Sequence, residues 1–597
     1  MFTEIARYLP ERLGDFTPGA PLAARERWDA VPGRLRDRVL QEADDALTRP
    51  WPLITASAWR EFSVSGHRAQ FEQLYFTRRR SLNALVLGEL LQNEGRFLPA
   101  IVDGVFLISE ESGWQLPAHN ASERSGKRAG LPDPARPVID LFAAETAAQF
   151  ASISGLLGEA LDALDPAIRA RILREVQARI FDPYLACHFW WMGRADERMN
   201  NWTAWITQNV LLATFALPTG QTFRRSVVEK ALGSLDAFQK DYAEDGACEE
   251  GALYYRHAAL CLHGALTILD TVAPGCFAAL WRHPKIRNMA EHIVHLHVAG
   301  RHYFNFADSS AVLAACSARE VLFGQAVGSE LLSGFAARDR LDADEPHLPQ
   351  EWSLWYRALE LLADATIAAP RSVPVPPRDK FYPGIGLFIA RDDTFALAVK
   401  GGNNGESHNH NDVGSVTLYK NGKPFLVDVG VETYTAKTFS PLRYSIWTMQ
   451  SAYHNLPDFS GIMQADGAAF AADHVDVAST DEEARISLDL APAYPEEALL
   501  KSYRRTVRLV RGSHVEIADA YEGARDATLS LMLAAPAVAT PDGIEIAHLG
   551  RIAIEGGGGI AIEPIEISDA RLRLAWPARL YRLRVPFRAR SLKLKII

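Results

Sequence analysis

Up to about residue 370 the apolar residues recur at helical spacing, as in RSLNALVLGELLQNEGRFLPAIVDGVFLISEE (80–111) and PAIRARILREVQARIFDPYLACHFWWMG (166–193). Further on the period drops to two. GLFIAR, FALAVKG, SVTLYKNGKPFLVDVG, KSYRRTVRLVRGSHVEIADAY and RLYRLRVPF read as strands, several joined by tight turns such as Asn421-Gly422. Between the two textures, APRSVPVPPRDKFYPG (369–384) is proline-rich and reads as a linker. The pattern predicts a helical domain over 1–370, a linker over 371–384 and an antiparallel β-sandwich over 385–597. The run Gly556–Gly559 lies between strand-like segments, where a hairpin turn is expected and a phosphate loop is not.

Composition narrows the function classes. At 597 residues the chain exceeds one ordinary core, and 48% hydrophobic with 23% charged residues is the balance of a globular protein. A net charge of −10 argues against a general nucleic-acid binder, yet leaves room for a local basic cleft that meets a polyanionic sugar. Eleven of the thirteen tryptophans fall before residue 370, which suits an aromatic-lined helical scaffold. The five scattered cysteines lack CxxC spacing, so neither a disulfide framework nor a cysteine zinc site is expected. The start lacks a basic stretch followed by an apolar one, and no run of about 18 apolar residues occurs. No membrane partner is expected. A cytoplasmic location is the default expectation, with a periplasmic mature form as the alternative and a homo-oligomer left open.

Three clusters carry chemistry. In GGNNGESHNHNDVGSVTLYKNGKPFLVDVG (401–430), His408 and His410 would share a strand face, Asp428 lies beyond the Asn421-Gly422 turn, and His454 follows in SAYHNLP. Two imidazoles and a carboxylate suit zinc better than calcium or magnesium. His410, Asp428 and His454 are the expected ligands, leaving His408 for proton transfer; solvated or backbone-satisfied histidines are the plainer reading. In WWMGRADERMNNWTAWITQN (190–209), Asn200, Asn201, Trp202 and Trp205 offer amides beside stacking rings, or equally a helix cap beside core aromatics. In DGACEEGALYYRHA (245–258), Glu250 and Tyr254 would share one helical face while Tyr255 and Arg256 turn to others. Further candidates are Trp114 and His119 in WQLPAHN, and Asn305 and Asp308 in HYFNFADSS.

Taken in order, NNWTAW (200–205), EEGALYY (249–255), SHNHNDVG (407–414), VDVG (427–430) and YHNLP (453–457) resemble the heparinase II/III-like polysaccharide lyases, over most of the chain. Within that group the sequence looks most like exolytic lyases of glycosaminoglycans or alginate-like oligosaccharides. The resemblance implies an incomplete (α/α) toroid followed by an antiparallel β-sandwich, with a cleft between them and an acidic polysaccharide as substrate. It implies β-elimination at a uronate: Asn201 neutralises the carboxylate, Tyr254 and His408 move protons, and His410, Asp428 and His454 hold a mainly structural metal. His119, Asn200, Trp202, Glu250, Tyr255, Arg256 and Arg443 are the expected substrate contacts, Arg443 as a second group on the carboxylate. Many relatives carry a histidine where Trp202 stands here. The rival readings are a metal-dependent glycoside hydrolase or esterase, and a carbohydrate-binding protein without catalysis. Glu249 and Glu250 are adjacent, hence on different helix faces, which disfavours them as a glycosidase pair.

Overall fold

The structure is a computed structural model that describes all residues except 125, 127, 195, 364–366, 368–374 and 542. The chain divides into two units. The first comprises Met1–Tyr242, Arg256–Ala290 and Ala315–Pro374; the second comprises Ala243–Tyr255, Glu291–Ala314 and Val375–Ile597.

The first unit is built of paired helices. Ala69–Gln92 packs on Leu141–Leu164, which packs on Asn201–Ala216, which packs on Ala259–Val272. Ala318–Ala326 and Leu354–Ala363 continue the series, and Leu354–Ala363 returns to Leu141–Leu164. These inner helices are buried nearly all round, as Leu141–Leu164 shows, because a second layer covers their backs. Gly33–Thr48 covers Ala69–Gln92, Gln221–Asp241 covers Asn201–Ala216, and Glu330–Leu341 covers Ala318–Ala326. This is the expected incomplete (α/α) toroid. The helix starts carry their own signals: Asp140 accepts from the backbone N–H of Phe142 and Ala143, and Ser317 with Glu320 forms a capping box. Among the described residues no helix is long and apolar enough to cross a membrane.

The second unit is an antiparallel β-sandwich. One sheet of eight strands contains Leu500–Val510 and His514–Gly523; the other, of nine, contains Phe395–Lys400, Val416–Lys420 and Lys423–Leu426. Alternate residues of both sheets form one core, with Leu397, Val399 and Leu418 from one side and Tyr503, Val507 and Ile517 from the other. Within it Arg505 grips Asp519 with two 2.8 Å bonds and donates to the carbonyls of Gly414 and Asn455, both at 2.8 Å. Asn421 (φ 50°) and Gly422 (φ 72°) close the Lys420–Lys423 turn as a two-residue hairpin with both central φ positive.

Three expectations change. The stretch 371–384 is not all linker: Asp379–Tyr382 is a strand paired with Leu387–Arg391, and residues 371–374 lie outside the described residues. The Gly556–Gly559 run is not a hairpin turn, because Gly550–Glu555 belongs to the eight-stranded sheet and Ala561–Glu566 to the nine-stranded one. It carries the chain across the sandwich. The segments 243–255 and 291–314, read as part of the helical domain, pack with the β unit. Their anchors are side chains that pattern does not reveal: Ser309 Oγ accepts from the Leu253 N–H, and Asn305 reaches the Asp428 carbonyl.

Candidate active site and metal centre

The loop that carries His408 and His410 is not a strand. Residues 405–414 form turns, and His408 adopts φ 56°, a left-handed backbone that a non-glycine residue adopts only when its surroundings hold it there. The two imidazoles nevertheless converge, on one buried carboxylate. Asp308 Oδ2 lies 2.7 Å from His408 Nδ1 and accepts from the Tyr434 hydroxyl at 3.0 Å. Its Oδ1 lies 3.0 Å from His410 Nε2 and accepts from Arg443 at 2.7 Å. Burial opposes the charge on Asp308, but Arg443 and the two imidazoles outweigh it and hold the carboxyl well below its ordinary range.

Tyr254 faces this group from the short helix Gly251–Tyr255. Its ring centroid lies 4.5 Å from that of His408, and its hydroxyl meets the Tyr434 hydroxyl at 2.5 Å. Burial pushes the phenol up to about 12, Asp308 adding to the effect and Arg571 opposing it. At neutral pH Tyr254 therefore carries its proton. Burial lowers the pKa of His408, but the charges of Glu250 and Asp308 overcome it and leave the imidazole above its ordinary value. Arg571 lies over the Tyr434 ring at 4.3 Å and donates to the Asp308 carbonyl at 3.0 Å.

The second cluster is His410, Asp428 and His454, all buried, whose ligand atoms lie within 4.8 Å of one another. This group could hold a metal ion. His410 Nε2 is engaged by Asp308, while its Nδ1 is buried without a hydrogen-bond partner among the described residues. His454 faces two acceptors, Thr448 O at 2.8 Å from Nε2 and Asp428 Oδ2 at 2.7 Å from Nδ1. A neutral imidazole can offer a proton to only one of them, so the other position calls for a second proton or a cation. An orphaned lone pair beside an over-subscribed ring and a carboxylate fits a divalent ion.

The remaining candidates separate. Tyr255 is fully buried, which leaves Tyr254 as the phenol against the imidazole. Glu250 is also buried, precedes the short helix rather than sharing its face, and accepts from Ser407 at 2.8 Å. Arg443 is corrected from substrate contact to positioning residue: its guanidinium donates to Asp308 and to the carbonyls of Asn409, Thr438 and His408. Arg256 belongs to the first unit and is likewise committed, to the Ala315 carbonyl and to Glu320 at 3.4 Å. Asn200 is the N-cap of helix Asn201–Ala216, accepting from the Trp202 N–H at 3.1 Å. Asn201 follows it in the first unit, buried, with an Oδ1 that has no partner among the described residues. His119 hydrogen-bonds Asp140 at 2.8 Å, and its ring meets that of Trp202 at 4.7 Å.

Tyr434 and Arg571 were missed, and Asp308 was noted without its central place. Tyr434 and Arg571 sit in no motif, and Arg571 is 263 residues from the carbonyl it contacts. Only the left-handed Ala307 (φ 52°) beside Asp308 marks that segment as unusual, and the sequence NFADSS does not announce it.

Residues 374–575 match the profile of the family described as heparinase II/III-like, C-terminal. Over nearly its whole length the chain has the fold of solved glycosaminoglycan lyases. It superposes on heparinase III with a TM-score of 0.60 at 12% identity, covering 93% of this chain and 88% of that one. For the heparan sulfate lyase HepC of Pedobacter heparinus the values are 0.55 and 14%, covering 100% and 87%. A chondroitin AC lyase from Streptomyces coelicolor gives 0.50 and 12%, covering 96% and 82%. No curated protein sequence matches the chain.

Proposed function

We propose that this protein is a polysaccharide lyase that cleaves uronate-containing polysaccharides or oligosaccharides by β-elimination. The reading is carried by one observation: a phenol, Tyr254, packed against an imidazole, His408, whose Nδ1 is held by a buried carboxylate. β-Elimination at a uronate removes the C5 proton, forms a 4,5-double bond and expels the sugar linked through O4. It needs a base at C5 and an acid at O4 within hydrogen-bond reach. With Nδ1–H given to Asp308, the neutral form of His408 offers the Nε2 lone pair as base. Tyr254, protonated at rest and bonded to Tyr434, delivers a proton to the leaving O4. Asn201 enters the proposal from the sequence resemblance, as the amide that stabilises the carboxylate as enolate-like charge develops; losing one such donor costs about 3–4 kcal/mol in comparable sites.

His410, Asp428 and His454 would hold a divalent ion, which we assign as zinc from the donor set. Because His410 lies on the histidine loop and Asp428 follows strand Lys423–Leu426, holding an ion would tie these two segments together and help to shape the site. The substrate class we favour is a glycosaminoglycan, with alginate second, cut from one end. Support for this finer placement is the sequence resemblance, and for the class the heparinase and chondroitin lyase folds.

The test is ultraviolet absorbance with heparin, heparan sulfate, hyaluronan, chondroitin and alginate, followed by product sizing and elemental analysis of the protein. A new absorbance from the conjugated double bond is expected with at least one of them. It should vanish in Tyr254→Phe and in His408→Ala while the fold remains intact. Chain cleavage without that absorbance would replace elimination by hydrolysis.

A further inference from the structure

The second unit holds a cation that the chemistry above leaves unused. Arg571 stands in ISDARLRLAW, where Asp569 organises a tight turn. Asp569 Oδ1 accepts from the backbone N–H of Arg571 at 3.0 Å and of Leu572 at 3.1 Å. Its Oδ2 accepts from the Thr433 N–H at 3.0 Å, so one carboxylate ties Arg571 to the segment that carries Tyr434. Leu572 and Trp576 anchor the turn, buried in one cluster with Val427 and Val429, and the Trp576 indole donates to the Val429 carbonyl at 2.8 Å. The guanidinium is thereby held 4.3 Å above the centre of the Tyr434 ring, whose hydroxyl meets that of Tyr254.

No carboxylate takes up its charge. Among the described residues the guanidinium makes one hydrogen bond, from Nη2 to the Asp308 carbonyl at 3.0 Å, and no ion pair. Asp569 spends its oxygens on backbone N–H groups. The Asp308 carboxylate is engaged by Arg443, by both imidazoles and by Tyr434. Glu250, the buried carboxylate whose charge acts on His408, accepts from Ser407. Arg571 is partly exposed, so a ligand can reach it. A cation drawn partly out of water without a counter-ion is costly until an anion arrives. Its charge also reaches Tyr254, where it opposes the upward pull of burial on the phenol. If Tyr254 serves O4 of a uronate, the anion at hand is the C6 carboxylate, borne by C5 next to the carbon that carries O4. The planar fork of a guanidinium matches both oxygens of such a group.

We infer that Arg571 is a substrate-binding residue that holds the carboxylate of the uronate seated at Tyr254 and His408, the role expected of Arg443. The same contact opposes the enolate-like charge that develops on that carboxylate as the C5 proton leaves. The inference rests on the lyase reading for the place of the sugar, while recognition of the carboxylate is read by binding, apart from turnover.

Short oligosaccharides of heparan sulfate, hyaluronan, chondroitin and alginate, each also in carboxyl-reduced form, are titrated by calorimetry into the full chain. Titrations use a Tyr254→Phe background to prevent turnover, with Arg571 intact or changed by Arg571→Ala, Arg571→Gln or Arg571→Lys. The same Arg571 changes are assayed by ultraviolet absorbance with Tyr254 present. The best-bound uronate sugar should lose about 10–100-fold in affinity in Arg571→Ala and Arg571→Gln and regain part of it in Arg571→Lys. Its carboxyl-reduced form should bind all of these proteins alike, and kcat/KM should fall at least as far as affinity. Thermal melting identifies a variant that failed to fold, and the others then decide. The inference is overturned if the protein with Arg571 intact binds none of the sugars, if folded variants bind the uronate sugar equally well, or if they lose the carboxyl-reduced sugar to the same extent. Arg571-dependent binding without any ultraviolet product from wild type would end the elimination reading and keep this contact. An ultraviolet product formed equally by wild type and variants would keep elimination and end the contact.

Discussion

Asp308 is the residue whose loss should report most on this architecture. Its two oxygens receive four donors: His408, Tyr434, His410 and Arg443. Asp308→Asn keeps the volume but replaces one acceptor oxygen by an NH2 group, so at least one pair of donors is left facing a donor. Breaking a buried ion pair by removing one partner costs about 3–5 kcal/mol, and Arg443 is left as that uncompensated charge. In a unit of this size each kcal/mol lowers Tm by about 2–4 °C, so calorimetry should show a loss of roughly 6–20 °C. The imidazole of His408 also loses the acceptor that fixes its tautomer, and in a serine-protease triad the equivalent change costs about 10⁴-fold in turnover. Weakening the carboxylate behind His410 should lower metal affinity by about 10–100-fold, read by chelator competition. The three readouts are separable. A variant that melts within about 2 °C of wild type, by the same conversion, and retains metal and turnover would refute the central place given to this carboxylate.

The other predictions test separate parts. Tyr434→Phe removes the hydroxyl between Tyr254 and Asp308 and should slow the ultraviolet assay by about 10²–10⁴-fold without loss of substrate affinity; an unchanged rate would take Tyr434 out of the proton path. His410→Ala should lower both Tm and metal content, whereas equal metal content by elemental analysis would remove it from the ligand set. Glu145 has a folded pKa near 7 against 4.5 for its ordinary value, so the folded state holds its proton longer than the unfolded one. Its contribution is therefore greatest below pH 4.5 and falls by about 3 kcal/mol as pH rises to 7; Glu145→Gln should flatten that part of the Tm–pH curve, and an identical slope would contradict the assignment. Arg505→Met should cost about 3–5 kcal/mol by leaving Asp519 alone in the core, and Arg505→Met with Asp519→Leu should recover part of the lost Tm. A double variant melting below the single one would refute that account.

The sequence by itself determined the two textures of the chain and most of the strands, because burial on one face leaves a period that can be read locally. Asn421-Gly422 and the alternating run Leu500–Val510 needed no distant partner to be recognised. It also placed Tyr254, His408 and the His410, Asp428, His454 group within short motifs. Tertiary structure alone decided what those residues touch. His408 and His410 lie two apart and were expected on a strand; they meet instead across a left-handed turn, on a carboxylate about a hundred residues away. Arg443 looked like a free cation for substrate, but its guanidinium is held by Asp308 and by three backbone carbonyls. Gln149 and Glu145 sit in no motif, and it is the packing of other helices that buries them. Periodicity records which face a residue turns inward. The partner it finds there is set by chain segments far away, and no local pattern encodes it.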